Sequence, residues 1–283
     1  MVKSFIPSTY NEALELLDKN EMILMAGGTD LMVKKRNWAG LSPIFDKDVL
    51  FISELKELKY IKKKGGFIHI GAMTTLEEIL THKDIPEILK KTILLMASPG
   101  IRHIATLGGN IGNASPAGDS LPVLYILDAK IVVDGKGTER MVPIEEFILG
   151  PGKVALDGRE LIKEIIINDV RFDMIHYEKI GGRKSDAISK VSFAGGVLCR
   201  KGRVDEFRCA FGAVAPTVVR SRAIEESVRG TACEDIEKMK EIIKKKYSEL
   251  IRPIDDQRST AVYRKKVCMN LLDRFLTKAE ADK

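Results

Sequence analysis

The spacing of apolar positions changes several times along the chain, and each change marks an element. In "STYNEALELLDKN", Ala13, Leu14, Leu16 and Leu17 fall on one helical face, and Thr9 with Glu12 has capping-box spacing, which predicts a helix. Met22 to Met25 then form a short continuous apolar run, a buried strand ending at Gly27-Gly28, after which Thr29 and Asp30 can cap the next turn. "VLFIS" at 49–53 predicts a second strand, with Ser53 placed to cap the short helix "ELKEL".

From "YIKKKGGFIHIGAM" onward the pattern is that of two strands around a Gly65-Gly66 turn, then a helix opened by Thr75 and Glu78. A helix "IPEILKKTILLMA" follows. "SLPVLYILDA" is predicted helical with Pro122 near its start, "KIVVDGKGTERMV" is a hairpin, and "RELIKEIIINDV" is the last strand of this block. After about residue 172, "FDMIHYEKI" and "KVSFAGGVLCRKGRVDEFRCAFGAV" read as strands. Two long helices follow at 221–250 and 257–277, so this block is a three- or four-stranded antiparallel sheet with helices on one face. The whole is α+β in three blocks: 1–57, 58–171 and 172–283.

Composition narrows the function classes. With 283 residues, 45% of them hydrophobic and 30% charged, the chain can bury a core without staples. Its 46 basic and 40 acidic residues leave a net charge of only +6, and the lysine triplets at 62–64 and 244–246 sit on solvated faces, so nucleic acid is not an expected partner. No run approaches the ~20 apolar residues that span a bilayer, and the first residues lack the apolar core of a secretory signal; no membrane span and a cytoplasmic location are expected. Cys199, Cys209, Cys233 and Cys268 are scattered without a CxxC pair, which leaves no ligand set for zinc or an iron–sulfur cluster. They are expected as buried, inert thiols.

Three glycine-rich segments compete for a nucleotide. "GPGKVA" at 150–155 fits the Rossmann expression but lacks the strand before and the helix after, so it is expected to be a surface loop. No Gly-Lys pair is followed by Ser or Thr, which excludes a P-loop. "AGGTDL" and "TLGGNIGNASPAGD" remain. Adjacent glycines let backbone N–H groups converge on an anion without a Cβ in the way, Thr29 and Asn110 can donate to phosphate oxygens, and Asp30 and Asp119 can accept from sugar hydroxyls. Two such segments without a lysine point to a diphosphate held mainly by backbone.

With "AGGTDL" at 26–31, "IRHIATLGGNIGNASPAGD" at 101–119, "YEKIGGRKSDAISKVS" at 177–192, "FGAVAPTVVRSRAIEESVRG" at 211–230 and "DQRSTAVYRKK" at 256–266, the chain resembles the FAD-binding (medium) subunits of the molybdenum hydroxylases, the family of xanthine, carbon monoxide and nicotinate dehydrogenases. The resemblance implies an FAD-binding domain in two parts, of the type shared with vanillyl-alcohol oxidase, and a small C-terminal α+β domain. It places Leu24, Met25, Ala26, Gly27, Gly28, Thr29, Asp30 and Leu31 around the diphosphate and ribityl chain. Thr106, Gly108, Gly109 and Asn110 form the second loop, Asp119 meets a cofactor hydroxyl, Ile162 makes an apolar contact, and Lys179 is a cation near the flavin that favours its anionic reduced form.

It also implies that electrons leave a substrate on a molybdopterin-binding large subunit, pass through the [2Fe-2S] clusters of a small subunit, reach this FAD, and go on to NAD⁺ or another acceptor. No catalytic side chain and no metal site are expected in this chain, since the cofactor carries the redox chemistry. Two departures from the family pattern stand out: His103 replaces an amide before the second loop, and Asp186-Ala187 replaces a pair of aspartates. Rival readings are a self-sufficient flavin oxidase or reductase of the same superfamily, and a non-enzymatic nucleotide-binding module.

Overall fold

The computed structural model describes residues 2–183 and 186–281; Lys184 and Ser185, within the "YEKIGGRKSDAISKVS" motif, lie outside the described residues. The chain forms two compact units, neither contiguous: 1–85 with 97–115 and 128–168, and 86–96 with 116–127 and 169–283.

The first unit holds two sheets. In the smaller, Val49–Phe51 is the central strand, paired in parallel with Ser4–Phe5 on one side and Ile23–Met25 on the other. The helix Tyr10–Lys19 begins as its sequence predicts, with the Thr9 hydroxyl accepting from Glu12 N at 3.2 Å. The Glu12 carboxylate reaches back one residue further than a standard box, to Ser8 N at 2.6 Å. Its Ala13 and Leu17 are fully buried against Leu50, Ile52 and Leu55. The larger sheet runs in the order Ile61–Lys64, Phe67–Gly71, Glu160–Asn168, Lys130–Gly135 and Thr138–Pro143, all antiparallel. Gly65 and Gly66 make its first turn with φ of 61° and 81°, angles that a side chain would strain. The box at Thr75 and Glu78 is complete in both directions.

The second unit is built on the predicted antiparallel sheet, Met174–Ile180, Val191–Arg200, Arg203–Gly212 and the short Val219–Arg220. Helices Arg222–Val228, Lys240–Leu250 and Ala261–Ala281 accompany it, with Phe193, Phe211, Tyr247 and Phe275 at the centre of the core and ring centroids 5.0–5.4 Å apart. Helix Ser120–Ile126, buried at every residue, belongs to this unit; Gly212 lets it approach, because a Cβ there would stand 2.9 Å from Pro122 Cγ. Arg220 and Glu225 form a buried two-bonded pair at 2.7 and 2.9 Å.

Several expectations need correction. The helix predicted over 221–250 is interrupted, because Gly230 takes φ 81° and Ala232 bridges to Arg203 at the strand edge; two 3₁₀ turns intervene before Lys240. The "ELKEL" segment is only a 3₁₀ turn at Lys56–Leu58 with no side-chain cap from Ser53. Cys199 and Cys233 are not inert thiols but a disulfide, with Cα atoms 6.5 Å apart. The tight turn at Lys201-Gly202 folds the hairpin back on itself, and Cys233 N then bonds Gly202 O at 3.0 Å, which brings together cysteines 34 apart in sequence. Cys209 and Cys268 are free and buried, as expected. Among the described residues, no helix is long and apolar enough to cross a membrane.

A cross-link over a loop of this length constrains the unfolded chain by about 3–4 kcal/mol. Thermal melts with and without a strong reductant are therefore expected to differ by several degrees, and Cys199→Ser with Cys233→Ser should melt at the reduced position in both conditions.

Candidate functional site

The two glycine segments selected from the sequence meet at one cavity of about 310 Å³ in the first unit. One wall is the chain leaving the strand Ile23–Met25: Ala26 to Asp30 turn without regular structure, and a single helical turn, Leu31–Lys34, follows. The other wall was expected to be a loop and is a helix, Leu107–Asn113. Three glycines in seven residues give poor helix propensity, but the Thr106 hydroxyl caps Gly109 N at 3.0 Å, and Leu107 and Ile111 are fully buried.

The glycines have a structural reason as well as a chemical one. A Cβ on Gly27 would stand 2.0 Å from the carbonyl oxygen of Ile104, and one on Gly108 would stand 2.6 Å from that of Ala72, whose oxygen accepts the Gly108 N–H at 3.1 Å. Both are sites where protein backbone crosses protein backbone. Gly109 is different: the nearest atom to its Cβ position is its own cap, Thr106 Oγ1 at 2.9 Å. Gly28 is required by its φ of 69°.

The walls are tied across by side chains. Asn113 donates through Nδ2 to Asp30 Oδ2 at 3.1 Å and accepts on Oδ1 from the Lys34 ammonium. Asp30 stands at the N-cap position of Leu31–Lys34 but makes no side-chain cap bond; its carboxylate instead holds the Asn113 amide in one orientation. Consecutive backbone N–H groups at Gly27, Gly28, Thr29 and Asp30 make no hydrogen bond to a protein acceptor among the described residues. This donor row, set where side chains are smallest, is what a diphosphate requires.

Of the sequence-selected residues, Leu24, Ala26 to Leu31, Thr106, Gly108, Gly109, Asn110 and Ile162 line the cavity; Met25 is buried beside it and outside the lining. Sequence reasoning missed Lys34, Gly112 and Asn113, and it left the "GPGKVA" segment as a surface loop although Gly152 lines the wall and its N–H bonds Ala114 O at 3.0 Å. The helical spacing from Leu31 to Lys34 and from Gly109 to Asn113 was the available signal.

Asp119 and Lys179 are brought together in the second unit. Lys179 Nζ lies 2.7 Å from Asp119 Oδ2 and 2.9 Å from Leu95 O, the other Asp119 oxygen accepts from the Ser189 hydroxyl, and the lysine side chain is 1% exposed. Burial pushes the Asp119 carboxyl above its ordinary range, and Lys179 and Ser189 pull it part of the way back. The Tyr177 hydroxyl is buried without a hydrogen-bond partner, and burial raises its pKa well above the usual tyrosine value. His103 is exposed.

Residues 1–168 match the family described as the FAD binding domain in molybdopterin dehydrogenase. The chain belongs to that family. Residues 176–279 match the CO dehydrogenase flavoprotein C-terminal domain. Among relatives, the nicotinate dehydrogenase FAD-subunit of Eubacterium barkeri is 34% identical over 199 residues, 66% of this chain and 65% of that protein. The glyceraldehyde dehydrogenase medium chain of Sulfolobus acidocaldarius is 28% identical and 90% of each chain is covered. A solved carbon monoxide dehydrogenase from Hydrogenophaga pseudoflava superposes with a TM-score of 0.87 at 25% identity, covering 99% of this chain and 98% of that one. The fold is that of the family's FAD-binding subunits, two-part and mixed helix and sheet, and the chain is an FAD-binding oxidoreductase subunit.

Two outcomes are expected here. Gly27→Ala should cost about 1–3 kcal/mol through the clash with Ile104, whereas Gly109→Ala should cost less, since only a hydroxyl must shift; urea unfolding measures both. Lys179→Met should leave the buried Asp119 carboxylate uncompensated and cost about 3–5 kcal/mol near neutral pH. Because the Asp119 pKa is raised in the fold, that loss should shrink as pH falls and the carboxyl protonates, so denaturation near pH 4 and pH 8 should differ in the variant more than in the parent.

Proposed function

We propose that this chain is the electron-transfer subunit of a molybdenum hydroxylase complex, taking electrons from the [2Fe-2S] clusters of a small partner and passing them from FAD to NAD⁺ or another acceptor, with the substrate oxidised on a molybdopterin-binding large partner. The observation that carries the reading is the cavity itself: two glycine segments packed at Gly27 and Gly108, with the row of free N–H groups from Gly27 to Asp30 on its wall, within the family-matched residues. Relatives named as medium chains and FAD-subunits support the division of labour.

In this reading the N–H groups of Gly27 to Asp30 hold the diphosphate, the Thr29 hydroxyl and Asn110 add side-chain donors, and Leu24, Leu31 and Ile162 give the flavin apolar cover. The bound flavin supplies the redox chemistry by accepting electrons singly and releasing them as a hydride or singly. The protein excludes water from one face of the cavity and fixes the cofactor's orientation through backbone donors, which cannot swing away as a lysine can. Asp119 and Lys179 enter through the sequence resemblance, as a charge pair whose carboxylate oxygens both already have partners. The reading places the chain in the cytoplasm.

Purified protein is expected to be yellow, with flavin absorption bands and about one FAD per chain on acid extraction. A colourless chain that cannot be reconstituted with FAD overturns the proposal. A flavin-loaded chain that alone oxidises a small substrate at turnover rates would favour the self-sufficient oxidase instead.

A further inference from the structure

The geometry points to Lys34 as the cation that sets the electron affinity of the bound flavin, an inference that rests on the FAD reading above. Lys34 is the only lysine or arginine among the described residues lining the cavity. It stands three residues after Leu31 on the same helical turn, so the two project from one face, and Leu31 lines the cavity together with Leu156 and Ile162. Across from it, Asn113 adjoins Gly112, whose Cβ position lies 3.5 Å from Ile162 Cδ1. The polar tie between Lys34 and Asn113 therefore stands between the apolar lining at Ile162 and, through Asp30, the last residue of the donor row. The row of free N–H groups at Gly27 to Asp30 serves the diphosphate.

An FAD with its diphosphate on the backbone donors and its uncharged ring system against Leu31 and Ile162 would bring the Lys34 ammonium within reach of that ring. The partners of the three lysines separate their roles. Lys179 is neutralised by a carboxylate at 2.7 Å, and Lys35 by Asp46 at 2.8 Å. Lys34 is held by the neutral amide of Asn113, with Asp30 one hydrogen bond further away. An amide oxygen is a weaker partner than an acceptor carrying negative charge. Lys34 would be drawn from Asn113 toward negative charge on a reduced flavin, and Asp30 would keep the vacated amide in place. Lys34 acts on the cofactor electrostatically and transfers no proton.

Potentiometric titration of the purified, FAD-loaded chain tests this. Lys34→Met should shift the balance of oxidised to reduced flavin at least tenfold toward oxidised at a given potential, about 30 mV for a two-electron couple. Lys34→Arg should restore most of it. High salt should narrow the gap between parent and Lys34→Met, because the lysine is exposed and its field is screened. Asn113→Ala, which frees the ammonium, should move the potential the other way. Unchanged potentials in both Lys34→Met and Asn113→Ala overturn the assignment. So does a folded Lys34→Met chain that loses FAD, since the lysine would then be holding the diphosphate. A parent chain that takes up no FAD overturns the underlying reading as well.

Discussion

The cavity depends on backbone meeting backbone where no side chain can intervene. At Gly27 the first glycine segment crosses the carbonyl of Ile104, and at Gly108 the second crosses that of Ala72; in both places a methyl group would overlap an oxygen. These crossings bring two walls almost eighty residues apart in sequence into fixed register, and the donor row at Gly27 to Asp30 is a product of that register. Side chains then finish the site. Thr106 caps the helix, and the chain of contacts from Asp30 through Asn113 to Lys34 closes the walls from the solvent side.

Electrostatics divides the same way. The donor row at Gly27 to Asp30 consists of neutral dipoles, which cost little to leave in water, while two buried cations of the second unit are matched by carboxylates. Arg220 with Glu225 and Lys179 with Asp119 are buried pairs whose loss on one side would strand a charge, and both lie in the second unit. Lys34 differs in having an amide for its partner.

Much of this is legible in the sequence. The Thr9 cap, the Thr75 capping box, the Gly65-Gly66 hairpin and the antiparallel sheet after residue 172 rest on local chemistry that short windows contain. The two glycine segments were legible too, as candidates to hold a diphosphate. What escaped was decided over distance. The helix at Leu107–Asn113 forms against propensity because its apolar face is buried, and the Cys199–Cys233 bond needs the strand turn at Gly202. The place of Gly152 in the cavity wall needs a bond to Ala114. Local reading also took the glycines to be present for ligand approach, whereas two of them are demanded first by the protein's own main chain.

The chain passes between its two compact units five times before settling in the second. Helix Ser120–Ile126, buried at every residue and with Arg208 and Arg220 donating to its last carbonyls, packs on the second unit's sheet, and the chain then returns to the first unit as the strand Lys130–Gly135. Neither unit can be released by a single cut: a fragment ending near residue 168 would carry the helices Glu87–Leu94 and Ser120–Ile126 without the sheet they pack on, and the remainder would lack segments 86–96 and 116–127 of its own unit. A ribosome that has emitted the FAD-binding half has therefore not yet emitted what covers that half's most apolar helix, so the final folding step belongs to the last third of the sequence.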